Sequence, residues 1–347
     1  LSLVGSEMCI RDRTFTLHSP LDMHLHLRDG EMCQMAARVA GTQFAGAVVM
    51  PNLVPAIDTL DAMDAYCAKI ESAAGTDFRP LMTLFLGSQT PRDIEAAKAN
   101  PRFFAMKLYP AGVTTNSENG ISDFSALVPA LEAMQDLGVP LLVHGESNGF
   151  VLEREAEFLP VYRRLAAAFP RLKIVMEHIS DARTLGLLDE FENLYATVTL
   201  HHLLFTLDDL AGGKLNPHLF CKPIVKLPRD REAIQAAVFG GNAKIMFGSD
   251  SAPHPKTNKE SAGALGGSFT GPILLPALAE LFAKHNALDK LQAFVSDNAR
   301  KIYGLNIPEK TITLVNEPMN VPATVDLPNG EQVVPVFAGT QIGWKLA

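Results

Sequence analysis

Eight short apolar runs punctuate the chain, each rich in β-forming residues and bounded by turn residues. They are LDMHLHL (21–27), AGAVVMP (45–51), PLMTLFL (80–86), FFAMKLY (103–109), PLLVH (140–144), KIVMEHI (173–179), LYATVTL (194–200) and KIMFGSD (244–250). Between them lie stretches of helical period, such as DFSALVPALEAMQDLG (123–138) and LEREAEFLPVYRRLAAAF (152–169). Near-continuous apolar strands suit a parallel sheet covered on both faces. Eight β units, each followed by a helical segment, predict an α/β fold of the TIM (β/α)8 barrel class over 14–304. A doubly wound open sheet is the structural alternative. After Gly304 the pattern breaks into TITLV, PATVD and LPNGEQVVPVF, with Asn329-Gly330 as a hairpin signal. This predicts a small C-terminal β appendage, 305–347, packed on the barrel.

Barrel enzymes carry their chemistry at the C-terminal ends of the strands. Strand one ends in His24, His26 and Arg28, strand two in Asn52, and strand four carries Lys107. Strand five ends in His144, strand six in His178, and strand eight in Asp250 followed by His254. In a strand, residues i and i+2 share a face, so His24 and His26 both project inward while Leu25 faces the helices. Two imidazoles on one face can share a metal ion. HxH alone is a weak signal, but His144, His178 and Asp250 at neighbouring strand ends make the metal reading the stronger one. Lys107 is costly to bury as an ammonium and would repel a cluster of cations, so it is expected to be neutralised or modified. Arg28 shares the parity of 24 and 26 and can grip a carboxylate bidentately. His201 and His202, at the end of strand seven, are read as structural or supporting residues rather than ligands.

Composition narrows the partners. The 347 residues are 47% hydrophobic and carry a net charge of −8, which disfavours nucleic acid as a partner. No apolar run reaches the roughly 18 residues of a membrane span. Four cysteines at wide spacings, Cys9, Cys33, Cys67 and Cys221, fit a reduced, cytoplasmic protein. The opening LSLVGSEMCIRDR (1–13) lacks the apolar core of a signal peptide, and 3–12 read as the translation of a sequencing-library adapter. The native sequence is therefore expected to begin near Thr14, with Cys9 outside it.

The set His24, His26, Lys107, His144, His178 and Asp250 resembles the binuclear-zinc site of the amidohydrolase superfamily. The strings PLDMHLHLRDG, VVMPNLVP, MKLYPAGVTTNS, LVHGE, MEHISD and FGSDSAPH resemble its dihydroorotase family, of the shorter monofunctional bacterial type. The resemblance runs from Thr14 to the C-terminus. It implies two Zn2+ per subunit, one on His24, His26 and Asp250 and the other on His144 and His178, bridged by Lys107 as N6-carboxylysine. It further implies that a bridging hydroxide attacks the ring amide carbonyl of dihydroorotate, with Asp250 as general base and then acid. Run in reverse, the same site closes N-carbamoyl-L-aspartate to L-dihydroorotate in pyrimidine biosynthesis. Arg28, Asn52 and His254 would clamp the substrate carboxylate, and Thr114 and Thr115 would close over it on a loop. Lys222 stands where an apolar residue is expected to touch the ring through its backbone, and the amide of Gly266 or Gly267 would contact substrate. The cysteines that some relatives carry in 262–269 are absent here. A homodimer is expected by the same resemblance. Rival readings are a hydantoinase, dihydropyrimidinase or allantoinase, whose rings generally lack the carboxylate, and a non-catalytic scaffold of the same fold.

Overall fold

A computed structural model of the chain describes residues 14–112 and 124–347. Strand β1 (Thr14–His18) precedes eight parallel strands that pair in sequence order. These are β2 (Leu21–Leu25), β3 (Gly46–Val49), β4 (Arg79–Phe85), β5 (Phe103–Leu108), β6 (Leu141–Val143), β7 (Ile174–Met176), β8 (Leu194–Val198) and β9 (Ile245–Phe247). Each lies inside one of the eight predicted runs except β4, which begins one residue earlier, at Arg79. The 123–138 window holds a helix, Val128–Leu137, that stops at Gly138 in the left-handed conformation. The 152–169 window holds Arg154–Ala168.

The sheet does not stay open. At the seam between first and last strands the Asp250 N–H donates to the His24 carbonyl (2.8 Å) and the His26 N–H to the Ser251 carbonyl (3.2 Å). Below them Asp22 Oδ1 accepts the Ser249 N–H at 2.7 Å. These bonds close a barrel and exclude the open-sheet alternative.

Apolar side chains separate into two layers by strand parity. Leu21, Val48, Leu81, Ala105, Leu142, Val175 and Met246 fill the barrel floor. Val49, Met106, Val143, Met176, Val198 and Phe247 face outward in the larger core. Extending the inward row by one or two steps of two reaches Lys107, His144, Glu177, Gly248 and Asp250, so the alternation that packs the floor also delivers the mouth.

Strict alternation fails in two places. Leu21 and Met23 both point inward, yet so do His24 and His26, because the β2–β3 register shifts between Asp22 and Leu25. On β7 the inward residue is Glu177, and His178 follows it in a left-handed backbone conformation (φ 41°). Arg28 (φ 63°) and Asp250 (φ 44°) are left-handed too. Such conformations cost about 1–3 kcal/mol each for non-glycine residues and persist where the surroundings hold them. Here Thr197 Oγ1 accepts the His178 N–H (2.7 Å) and the Tyr66 hydroxyl donates to the Arg28 carbonyl (2.7 Å).

The C-terminal segment behaves as a β appendage. Strand β10 (Thr311–Val315) pairs antiparallel with β1 along its whole length and with Lys345–Leu346 at its far edge. Counting 14–18 with the barrel is thereby corrected: β1 has a polar face and belongs to this three-stranded sheet. The predicted hairpin forms as Val325–Asp326 against Gln332–Val333, turning at Gly330 (φ 84°). Its Leu327 and Val333 pack on Met32, Met35 and Phe269 of the barrel.

Gly248 marks where β9 presses on the site. A Cβ there would meet His24 Cβ at 2.8 Å and Thr197 Cβ at 3.0 Å. At the barrel floor a Cβ on Gly46 would meet the Arg79 carbonyl oxygen at 2.6 Å. Both Gly248→Ala and Gly46→Ala should lower unfolding free energy by about 1–3 kcal/mol by overpacking. Only Gly248→Ala should also cut turnover per folded molecule, because it moves His24. Denaturant melts beside active-site titration check this, and full turnover in Gly248→Ala would refute it.

Candidate active site and metal centre

The mouth of the barrel encloses a cavity lined by His24, His26, Arg28, Asn52, Tyr109, His144, His178, Lys222, Asp250, Ala252, Gly266 and Gly267. The structure therefore gathers most of the residues singled out in the sequence around one space. Lys107 lies beneath it, fully buried, with Nζ 4.7 Å from the centre of the Tyr109 ring and no hydrogen-bond partner among the described residues. His254 sits at the rim, its Nε2 2.9 Å from Arg28 Nη2. Thr114 and Thr115 lie outside the described residues.

The donor set fits metal ions. Two imidazole nitrogens on one tetrahedral zinc stand about 3.3 Å apart, given Zn–N bonds of ~2.0–2.1 Å. His24 Nε2 and His26 Nε2 are 3.3 Å apart, and His144 Nδ1 and His178 Nε2 are 3.1 Å apart. Asp250 Oδ1 completes the first group, 3.0 Å from His26 Nε2 and 3.6 Å from His24 Nε2. Two carboxylates fix the rings from behind. The His24 Nδ1–H donates to Glu177 Oε2 (2.7 Å), and the His144 Nε2–H donates to Glu146 Oε2 (2.7 Å). Each bond selects the tautomer whose lone pair faces the partner imidazole. Glu177 is itself held by the Thr197 hydroxyl at 2.6 Å, the same hydroxyl that accepts the His178 N–H.

Burial sets the protonation states. It pushes His26 down to about 4 and His178 well below the ordinary imidazole range, and lowers His144 as well. All three are therefore neutral, the form that binds a cation. Burial also works to raise the Asp250 carboxyl, but the hydrogen bond from His26 and the neighbouring imidazoles override it and hold the group below its usual value. For Lys107, burial pulls the ammonium down to about 8 against the opposing pull of Glu177 and Asp250.

Arg28 donates through Nε to the Pro253 carbonyl (3.1 Å) and faces His254 through Nη2. Among the described residues no carboxylate lies within ion-pair distance of it. Together with burial, Arg28 drives His254 down to about 3, so that ring is neutral beside the guanidinium.

Several working residues escaped the sequence reading. Glu146 and Glu177 stand within the quoted motifs LVHGE and MEHISD, and their nearness to His144 and His178 was the available signal. Tyr109 continues the parity of Lys107. Lys259, in the polar stretch KTNKES, gave no signal at all. Its buried Nζ donates to the carbonyls of Phe220 (2.9 Å), Leu265 (2.8 Å) and Gly267 (2.7 Å). It thereby ties together the two segments that bring Lys222 and Gly266 to the cavity.

Comparison with known proteins is consistent along the whole chain. The amidohydrolase family profile matches residues 21–305. A dihydroorotase of Helicobacter hepaticus is 44% identical over 337 residues, covering 96% of this chain and 98% of the relative. Among solved structures, a dihydroorotase from Campylobacter jejuni superposes with a TM-score of 0.91 at 49% identity, over 96% of this chain and 97% of that one. A Saccharomyces cerevisiae dihydroorotase in complex with 5-fluoroorotic acid superposes with a TM-score of 0.92 at 33% identity, over 96% and 98%.

Removing an orienting carboxylate behind a metal-binding imidazole costs about 10–100-fold in metal affinity. Glu177→Gln should do so here, while Lys259→Met, distant from the donors, should not. Zinc competition against a chelator checks both. Undiminished affinity in Glu177→Gln would show that His24 needs no partner behind it.

Proposed function

The chain belongs to the amidohydrolase family and, within it, to the dihydroorotases, and from that membership we propose how its own residues share the work. The reaction is the reversible hydrolysis of a cyclic amide, L-dihydroorotate to N-carbamoyl-L-aspartate, run as a ring closure in pyrimidine biosynthesis. The observation that carries the reading is one cavity that holds both a cluster of metal-donor atoms and, across from it, an arginine with no acidic partner among the described residues.

Two zinc ions belong to this reading: His24, His26 and Asp250 would hold one, His144 and His178 the other, with a carboxylated Lys107 as a further ligand. When bound, the ions supply an acidified water and a polarised ring carbonyl. Lys107 reaches its modified form by simple chemistry. The lone pair of the neutral amine forms a bond to the carbon of CO2, one N–H proton leaves, and an anionic carbamate replaces a cation inside the barrel. Its burial without a hydrogen-bond acceptor among the described residues supports this. Asp250 takes the proton of the attacking water at Oδ2, because Oδ1 already faces His24 and His26. It then delivers that proton to the departing ring nitrogen.

Arg28 grips the substrate carboxylate with the donors left over from Pro253 and His254, and Asn52 and His254 flank it. Lys222 and Gly266 form the wall against the ring. Thr114 and Thr115 belong to the same reading as hydroxyl donors on a covering loop. A homodimer and a cytoplasmic location are part of the same proposed reading.

Arg28 also separates this reading from its rivals, because hydantoin and dihydrouracil carry no carboxylate to meet it. Removing two charge-assisted hydrogen bonds should cost about 100-fold or more in kcat/KM for dihydroorotate. A zinc-loaded assay of parent and Arg28→Ala on the three rings checks this. Turnover of the uncharged rings that survives Arg28→Ala, with none on dihydroorotate, would overturn the assignment to this substrate. The carbamate has its own test. Metal-free protein reloaded with zinc in CO2-free buffer should retain little metal until bicarbonate is added, and Lys107→Met should not respond to bicarbonate. Full reloading of the parent without bicarbonate would remove the carbamate from the site.

A further inference from the structure

Beside the active site, at the end of β8, a second group of donors remains unexplained. The short helix Leu200–Leu204 carries His201 and His202, and the segment after it returns Cys221 to their side. One ligand atom from each of the three lies within 4.8 Å of the others, and all three residues are buried. His201 is fully buried, yet neither of its ring nitrogens has a partner among the described residues. It is not among the residues that line the active-site cavity. A buried polar group without a partner costs about 1–3 kcal/mol, which a structural histidine would avoid.

The rest of the geometry suits a cation. His202 Nε2 stands 3.7 Å from Cys221 Sγ, where the edge of a zinc tetrahedron between nitrogen and sulfur measures about 3.6 Å from Zn–N and Zn–S bond lengths. The Thr199 hydroxyl contacts His202 Nδ1 at 3.0 Å and orients the ring. The Pro223 carbonyl oxygen is 3.0 Å from His202 Nε2 and 3.1 Å from Cys221 Sγ, close enough to supply a fourth donor. A purely structural account lets His202 and the thiol both donate to that carbonyl. It explains two of the three residues and leaves His201 bare.

We propose that His201, His202 and Cys221 form a separate site for a thiophilic divalent cation of the zinc class, distinct from the two-ion centre. Imidazole with thiolate selects Zn2+, Co2+ or Cd2+ over Mg2+ and Mn2+. On binding, the Cys221 S–H bond breaks, its proton passes to solvent, and an Sγ–metal bond forms. The residue after Cys221 is Lys222, which lines the cavity, so occupancy anchors that wall to the end of β8.

The two-ion centre contains no thiolate, and this makes the sites spectroscopically distinct. The full chain, freed of metal, is titrated with Co2+ past two equivalents. A thiolate-to-cobalt charge-transfer band should grow in with the third equivalent. Cys221→Ser should abolish it while keeping dihydroorotate turnover and the weaker cobalt bands of the main centre. His201→Asn should weaken the third equivalent at least about tenfold. X-ray absorption on the zinc-loaded parent needs no variant and should show a zinc–sulfur shell only beyond two equivalents. Absence of that shell, or of the band in cobalt excess, overturns the site. A band that survives Cys221→Ser, or is indifferent to His201→Asn, assigns the ion to another thiol and overturns it equally.

Discussion

The hydrogen bond from the Asp250 N–H to the His24 carbonyl, 2.8 Å long, joins the last strand of the barrel to the first. The side chains of the same two residues bring Oδ1 and Nε2 to 3.6 Å. Closing the fold and assembling the donor cluster are thus a single event, and neither His24 nor Asp250 can drift without opening the seam. Asp22 braces the joint from below, accepting the N–H of His24 (3.1 Å) and of Ser249 (2.7 Å) on one oxygen. Burial pushes that carboxyl up to about 7, against the hydrogen bonds that favour its charged form. The left-handed backbone at Asp250 is tolerable there because bonds on both sides of the residue are already fixed.

That same apolar setting decides the electrostatics. Burial keeps His26, His144 and His178 neutral, so their lone pairs are available, and the carboxylates of Glu177 and Glu146 choose which nitrogen presents them. A site wetter by a few waters would protonate more easily and hold a cation less tightly. For Lys107 burial offers no resolution as it stands: an ammonium over the Tyr109 ring gains only a cation–π contact of about 1–2 kcal/mol. Exchanging that cation for a carbamate reverses the sign of its interaction with everything the mouth binds.

What could be read from the sequence follows the range of the forces involved. Strand existence depends on local apolar runs, so all eight strands could be placed, and their C-terminal ends then put Lys107, His144 and Asp250 at the mouth. His24 and His26 were placed inward by parity, but the structure achieves it through a register shift between Asp22 and Leu25 that no pattern of residues announces. His178 violates parity outright and is turned in by a left-handed backbone that Thr197, nineteen positions later, stabilises. β1 was counted with the barrel because its partner, β10, lies nearly three hundred residues away. Lys259 could not be singled out, since its three acceptor carbonyls converge only after folding. His201 and His202 were visible as a pair, but the thiol that gives them a chemical meaning comes from a different segment.

The rim shows how a carboxylate could be recognised without a second cation. His254 Nε2 is 2.9 Å from Arg28 Nη2 and 3.1 Å from the Gly266 carbonyl, and one neutral nitrogen cannot accept from the first while donating to the second. With the lone pair on Nε2, the ring occupies an N–H of Arg28 and leaves the Gly266 carbonyl unserved. A carboxylate that draws this N–H away leaves the opposite tautomer free to form, with Nε2–H donating to Gly266. The anion is then accommodated by moving one proton within a neutral ring rather than by creating a charge. Lys259 holds the carbonyls on either side of Gly266 in place meanwhile, so the segment cannot swing away when its own bond changes. If the substrate carboxylate meets Arg28 as proposed, an uncharged ring would have nothing to trade for the Arg28–His254 contact.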